Sequence, residues 1–175
     1  MEVRKAVLHD LAALRKLAIR VFSDAFEAGN NPDDFNAYVE EAFSMEKIES
    51  EFLEAGSQFF VSIQDNTLSG YARVRENSEV NHLLGHNHME LQRLYVDMAW
   101  QGKGAANKLM EACETLALQQ KKDWLWLGVW EFNLKAQHFY AKHGYEKFSE
   151  HTFLLGNDPQ TDWLMRKSLD KKGIF

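Results

Sequence analysis

Apolar residues recur along this chain with two periods, and the switches between them mark the elements. Leu11, Leu14, Leu17, Ala18 and Val21 are spaced as one face of a helix, with Asp10 placed to cap its start. Gly29, Asn30, Asn31 and Pro32 interrupt it, and Pro32 suits the first position of a second helix. Helices are predicted over 33–43 and 45–55. Strand-like stretches follow at 58–64 and 68–75, a hairpin turning at Asp65 and Asn66. After a polar loop over 76–87 come a strand at 89–96, a glycine-rich turn and a helix at 106–119. A strand at 123–129, a helix at 134–142 and strands at 145–151 and 161–169 complete the chain. Gly156, Asn157, Asp158 and Pro159 form the last turn, and residues 3–7 read as the first strand. The order is mixed α/β.

Composition narrows the class. The 175 residues, 20.3 kDa, suffice for one domain over 1–175 with a sizeable core. Hydrophobic residues make up 45% and charged residues 26%, an ordinary globular balance. No apolar run is long enough to span a membrane, and the N-terminus enters strand-like sequence without a signal peptide. A single cysteine, Cys113, excludes an internal disulfide and points to a reducing, cytoplasmic setting. Its place inside a helix reads as a small buried hydrophobe. The net charge of −6 disfavours nucleic acid as a partner. The charge is uneven, however. Residues 21–54 hold ten acids against Lys47 alone, so this segment carries −9 and the rest +3. That is either a solvated helical surface or a field that attracts a cationic substrate.

The turn Gln101, Gly102, Lys103, Gly104, Ala105 and Ala106 carries the chemistry. A glycine-rich turn between strand and helix leaves backbone N–H groups free at a positive helix end, which suits a pyrophosphate. Lys103 and Lys108 stand ready to add charge. The spacing fits neither a P-loop, which needs Gly-Lys-Ser/Thr, nor a dinucleotide fingerprint, which needs a third glycine and an acid ending a second strand. A different phosphate carrier is indicated.

Gln101-x-x-Gly104-x-Ala106 resembles the Gln/Arg-x-x-Gly-x-Gly/Ala signature of the GNAT superfamily of acetyl-CoA-dependent N-acetyltransferases. The preceding strand, Glu90 to Val96, lies at the family's distance. Asn133-x-x-Ala136-x-x-Phe139-Tyr140-x-x-x-Gly144-Tyr145 is similar to the family's second half, so two ordered motifs cover about 55 residues. The resemblance implies a mixed, mostly antiparallel sheet of about seven strands, splayed in the middle and flanked by helices, with acetyl-CoA entering the splay. It implies backbone contacts from Leu94, Tyr95 and Val96 to the pantetheine arm, one N–H polarising the thioester. The turn residues 101–106 would hold the pyrophosphate and Asn133 the CoA arm. Asn133 is equally a helix N-cap. Lys142 reads as a phosphate contact or a surface lysine.

An acetyl thioester is already activated; the protonated amine is the obstacle. Freeing an alkyl amine at neutral pH costs roughly 4 kcal/mol, and a positioned carboxylate can take that proton. The family places a catalytic Glu where Glu90 stands, and alternation puts Glu90, Gln92, Leu94 and Val96 on one face. A solvated strand end is the other reading of Glu90, and His86, His88 or a water chain are alternative bases. Tyr140 matches the family's Tyr that protonates the leaving thiolate; a core tyrosine is its alternative. Direct attack in a ternary complex needs no covalent enzyme intermediate.

His82, His86, His88 and Glu90 make no standard metal spacing, and no metal is expected. Trp124 and Trp126 read as core or a dimer surface. The segment 31–44, Lys47 and Gly70-Tyr71-Ala72 resemble PaiA-type spermidine/spermine acetyltransferases, which implies a polyamine acceptor. Glu27, Asp33 and Asp34 are then the expected anchors. The alternatives are another amine, such as an aminoglycoside, an amino acid or a protein N-terminus, and an acyl-CoA-binding module without turnover. A monomer or homodimer is expected.

Overall fold

The computed structural model describes residues 1–169. Within them the strands β1 (Glu2–Lys5), β2 (Gln58–Gln64), β3 (Thr67–Arg75), β4 (His88–Val96), β5 (Trp124–Trp130), β6 (Glu146–Leu155) and β7 (Asp158–Ser168) form one sheet, in the order β1-β2-β3-β4-β5-β7-β6. All neighbours are antiparallel except β4 and β5. The helices are α1 (Leu11–Phe26), α2 (Pro32–Ala42), α3 (Met45–Leu53), α4 (Asn81–Leu84), α5 (Ala105–Gln119) and α6 (Leu134–Lys142). The last six residues of the expected domain, 170–175, lie outside the described ones.

The helices divide between the two faces of the sheet. On one, Leu14, Ala18, Phe22, Phe35 and Phe43 of α1, α2 and the bend after it pack on Phe59, Val61 and Tyr71. On the other, Leu109, Met110, Cys113 and Ala117 of α5 and Tyr140 of α6 pack on Ala72, Val74, Met89, Leu91 and Leu127. Cys113 is fully buried, as a small apolar filler should be, and burial pushes its thiol up. Every apolar position expected to drive α1 is buried.

Local chemistry explains most boundaries. Asn31 Oδ1 accepts from the Asp33 and Asp34 amides and Pro32 opens α2, as expected of the break. Asp65 and Asn66 take φ of 50° and 59°, the conformation of a tight two-residue hairpin turn. Asp10, in contrast, does not cap α1. Its carboxylate turns back to accept from the Val7 amide at 2.8 Å and pairs with Arg4 at 2.7 Å. A short helix, α4, sits inside the expected polar loop 76–87. His88 explains it: Trp126 Nε1–H donates to His88 Nδ1 at 3.1 Å, leaving the His88 proton on Nε2, 2.8 Å from Asn81 Oδ1. That pairing secures α4 to the sheet, and burial lowers the His88 pKa. The last hairpin is longer than expected. It turns at Gly156 (φ 62°) and Asn157, and Asp158 and Pro159 lie within β7. Pro159 is tolerated because β7 meets β5 only from Asp162 onward.

Candidate active site

β4 pairs with β5 through three residues only, His88, Met89 and Glu90, opposite Trp124, Leu125 and Trp126. Beyond them β4 stays with β3 and β5 stays with β7. The two strands part, and a cavity of about 940 Å³ fills the wedge. Residues 91–96 line one wall; Gly128, Val129 and Trp130 line the other. Among the described residues, the backbone edge of β4 from Leu91 onward has no strand partner on this side. This is the splay expected of the sheet, and its cause lies partly in a bulge. Arg73 pairs with Arg93 but Val74 pairs with Leu91, so Gln92 is an extra residue on β4.

The bulge corrects the expected alternation. Leu94 and Val96 join Met89 and Leu91 against α5, and Glu90 lies with Arg93 and Tyr95 on the opposite face. Gln92 remains with Glu90, its Oε1 accepting from Arg73 Nη1 at 2.7 Å. Tyr95 packs against Phe22 and Tyr71 at the edge of the aromatic cluster on α1 and α2.

One end of the wedge is built for an anion. Gly102 and Gly104 take φ of 75° and 88°, and a Cβ at either would meet nothing within 4 Å. Conformation, not crowding, selects glycine there. No side chain caps α5, and Ala105, Ala106 and Asn107, the first residues of that helix, line the cavity. First-turn N–H groups have no intrahelical acceptor, so the helix end is open to an anion. Gln101 ties the turn to both walls: its Nε2 donates to the Val96 carbonyl at 3.2 Å, and its Oε1 accepts from Lys135 Nζ at 2.5 Å. Lys135 lines the cavity. Lys103 instead covers the Trp100 ring, 4.5 Å from its centroid, and Lys108 reaches the Met1 carbonyl. Neither lines the cavity, nor does Lys142, which is exposed in the last turn of α6.

The middle of the cleft holds the two motif residues of α6. Asn133 caps that helix, its Oδ1 accepting from the Ala136 amide at 3.1 Å, and also lines the cavity. Gln137 secures the helix to the end of β5, donating to the Trp130 and Glu131 carbonyls. Tyr140 is 9% exposed and packs between the Phe139 and Tyr145 rings while still lining the cavity. Burial pushes its phenol above the ordinary value, so at neutral pH it is a hydroxyl donor.

The far end is acidic. Glu90 is buried, its Oε2 accepting from Arg75 Nε at 2.5 Å and Asn77 Nδ2 at 2.6 Å. Burial raises its carboxyl above the usual range; Arg75 opposes this only in part. Glu79, His151 and Asp162 join it there, and Asp24 of α1 also lines the cavity. Glu27, Asp33 and Asp34 do not. Glu27 and Asp33 are exposed, and Asp34 accepts from the Asn157 amide at 3.3 Å, docking the last hairpin onto α2. His86 is exposed and outside the lining, and His88 is the buried tie described above. Among the described residues no group of three or more His, Cys, Asp or Glu could hold a metal ion.

Sequence reasoning missed His151 and Asp162. One signal was available: Gly128, a glycine in the middle of an otherwise bulky strand, marks a place where something approaches the backbone closely.

A model of the Acetyltransferase (GNAT) family matches residues 13–145. An uncharacterized N-acetyltransferase of Lactobacillus delbrueckii subsp. lactis is 34% identical over 160 residues, covering 91% of this chain and 92% of the relative. Among solved structures, the PaiA N-acetyltransferase of Thermoplasma acidophilum, in complex with coenzyme A, superposes with a TM-score of 0.77 at 21% identity, covering 95% and 98% of the two chains. The ribosomal-protein-S18-alanine N-acetyltransferase of Escherichia coli gives 0.71 at 15%, covering 99% and 98%.

Proposed function

The chain belongs to the GNAT family of acetyltransferases, and from that premise we propose that it acetylates a primary amine of a small, multiply charged acceptor of the polyamine kind, by direct attack in a ternary complex. Acetyl-CoA is the acyl donor of this family. The residues on the donor side fit that group: open, left-handed glycines, an uncapped helix end, and an unpaired strand edge beside them.

The observation that supports the reading is the polarity of the one wedge. Its turn end suits phosphates, and its wall away from the turn presents Glu79, Glu90 and Asp162, which all act on His151. A carboxylate at the fork of the strands can accept the proton that an arriving ammonium must lose, and the raised pKa of Glu90 improves it for that task. Tyr140, held protonated by burial, supplies a proton for the departing thiolate. The fold does not choose the acceptor, since structures of comparable likeness include a ribosomal-protein alanine acetyltransferase.

Thiol release from acetyl-CoA across an amine panel tests this. Spermidine and 1,4-diaminobutane should outperform butylamine, an aminoglycoside and an N-terminal peptide. Equal or better turnover of one of those three would replace the acceptor class. Coenzyme A binding without thiol release from any amine would make the protein a binding module.

A further inference from the structure

Asp162 is a largely covered carboxylate short of positive charge. Only 16% of its side chain is exposed, and its only ion-pair partner among the described residues is His151, whose Nε2 lies 3.8 Å from Oδ2. A carboxylate removed from water this far is costly unless a cation meets it. The neighbouring strand makes room at this point. A Cβ at Gly128 would stand 3.3 Å from Asp162 Oδ2, yet Gly128 is an exposed residue in the middle of β5, facing the cavity. A side chain there would crowd the carboxylate and fill the floor beneath it. Trp130, on the same strand and lining the same cavity, offers an aromatic ring for an ammonium group.

We propose that Asp162 binds a positively charged group of the acceptor and that protonated His151 competes for the same carboxylate, so that this subsite opens as pH rises. The inference rests on the amine-acetyltransferase reading and names the residues that would select its acceptor.

The groups around His151 support this. Asp162 of β7, Glu79 of the 76–87 connection and Glu90 of β4 all raise its pKa against the effect of burial, the Asp162 contact most. Arg75 of β3 already pairs with both glutamates. On β6 itself, Glu150 is held by Lys147. From α2, Tyr38 is close enough for Asp162 to raise its phenol. Asp162 is thus the acid that gains or loses the His151 charge. With its pKa raised, His151 carries that charge into the neutral range, and Asp162 is released as pH climbs through it.

The test is calorimetric titration of 1,4-diaminobutane into the protein with coenzyme A present, from about pH 5.5 to 8.5, where alkyl ammonium groups stay charged. Without an acetyl group nothing turns over. Diamine binding should weaken by up to about tenfold per pH unit below the His151 pKa. His151→Gln should bind the diamine tightly and without that slope. Asp162→Asn should bind it at least tenfold more weakly than the wild type above the His151 pKa, with the gap closing as pH falls below it, and both variants should hold coenzyme A as the wild type does. A slope that survives in His151→Gln would belong to Glu90 and overturn the proposal, as would wild-type affinity in Asp162→Asn above the His151 pKa. If coenzyme A fails to bind while the His151-dependent slope persists, the donor assignment falls and the subsite stands.

Discussion

Glu90 is the last residue of β4 to pair with β5, and the residue opposite it is Trp126. Its carboxylate therefore sits where the sheet begins to open, held there by Arg75 and Asn77. One backbone event, the bulge at Gln92, both sends Leu94 and Val96 to the α5 face and leaves Glu90 facing the acid end of the cleft.

As the proposed base, Glu90 must be ionised to act. Its carboxyl is raised by burial, so wild-type kcat/KM should fall as pH drops through that raised value. In a His151→Gln background, where the acceptor subsite no longer titrates, Glu90→Gln should lower kcat/KM by about 10²–10⁴-fold and abolish that acid limb. Turnover within a few-fold of wild type, with the limb intact, would hand the role to a water chain.

Tyr140→Phe removes only a hydroxyl from a ring packed by Phe139 and Tyr145. Protonating the leaving thiolate belongs to the transition state, so kcat should fall by roughly 10²-fold while acetyl-CoA affinity holds. Steady-state kinetics from acid to alkaline pH check this. Unchanged kcat throughout would make Tyr140 a core residue only.

Gly104 has φ of 88° and open space where a Cβ would go. Gly104→Asp therefore strains the backbone and sets a carboxylate where the phosphates would lie. Coenzyme A at 100 times its Kd should stabilise the wild type by about 2.7 kcal/mol. The variant should show no thermal shift with coenzyme A.

Asp10 gives a prediction about the fold alone. Its carboxylate accepts from the Val7 amide and from Arg4, and the Arg4 hydrogen bond holds its pKa below the ordinary value. A depressed carboxyl stabilises above its unfolded pKa of about 3.9, and that contribution is lost as pH falls through the lower folded value. Asp10→Ala should cost about 1–2 kcal/mol near neutral pH. Urea unfolding should show the gap narrowing as pH falls from the unfolded value through the lower folded one, below which the wild-type carboxyl is also protonated.

The donor side was legible because its determinants are local. The positive-φ glycines lie beside the uncapped start of α5, and Asn133 lies beside the helix it caps, so each feature is set within a few residues and motif spacing captures both. The hairpin at Asp65 and Asn66 and the α1 face were readable for the same reason. The acceptor side is tertiary. Asp162 meets Gly128 and His151 only because β7 lies between β5 and β6, and no period in the sequence reports that. The face change at Gln92 depends on pairing with β3, so alternation along β4 alone misplaced Leu94 and Val96. Asp10 was misread as a cap because an alternative partner, Arg4, lay on the neighbouring strand.

The acidic segment 21–54 makes the last prediction, and the structure changes what to expect of it. Two of its acids are already matched from the rest of the chain: Glu51 by Arg93 at 2.7 Å and Arg73 at 3.3 Å, Glu54 by Arg73. Glu27, Asp33 and Asp34, the anchors expected from sequence, lie outside the cavity lining. Their charges act on an approaching cation only through solvent, where salt screens them within about 8–10 Å. Neutralising all three (Glu27→Gln, Asp33→Asn, Asp34→Asn) should therefore lower kcat/KM for spermidine by about two- to fivefold at low ionic strength, through encounter. At about 0.15 M salt the triple variant should match the wild type. Asp34 accepts from Asn157, so Asp34→Asn keeps an acceptor there and the hairpin docked. A loss that persists at high salt and appears in KM would mean that one of the three touches bound acceptor, and the anchoring role would return from Asp162 to the segment 27–34.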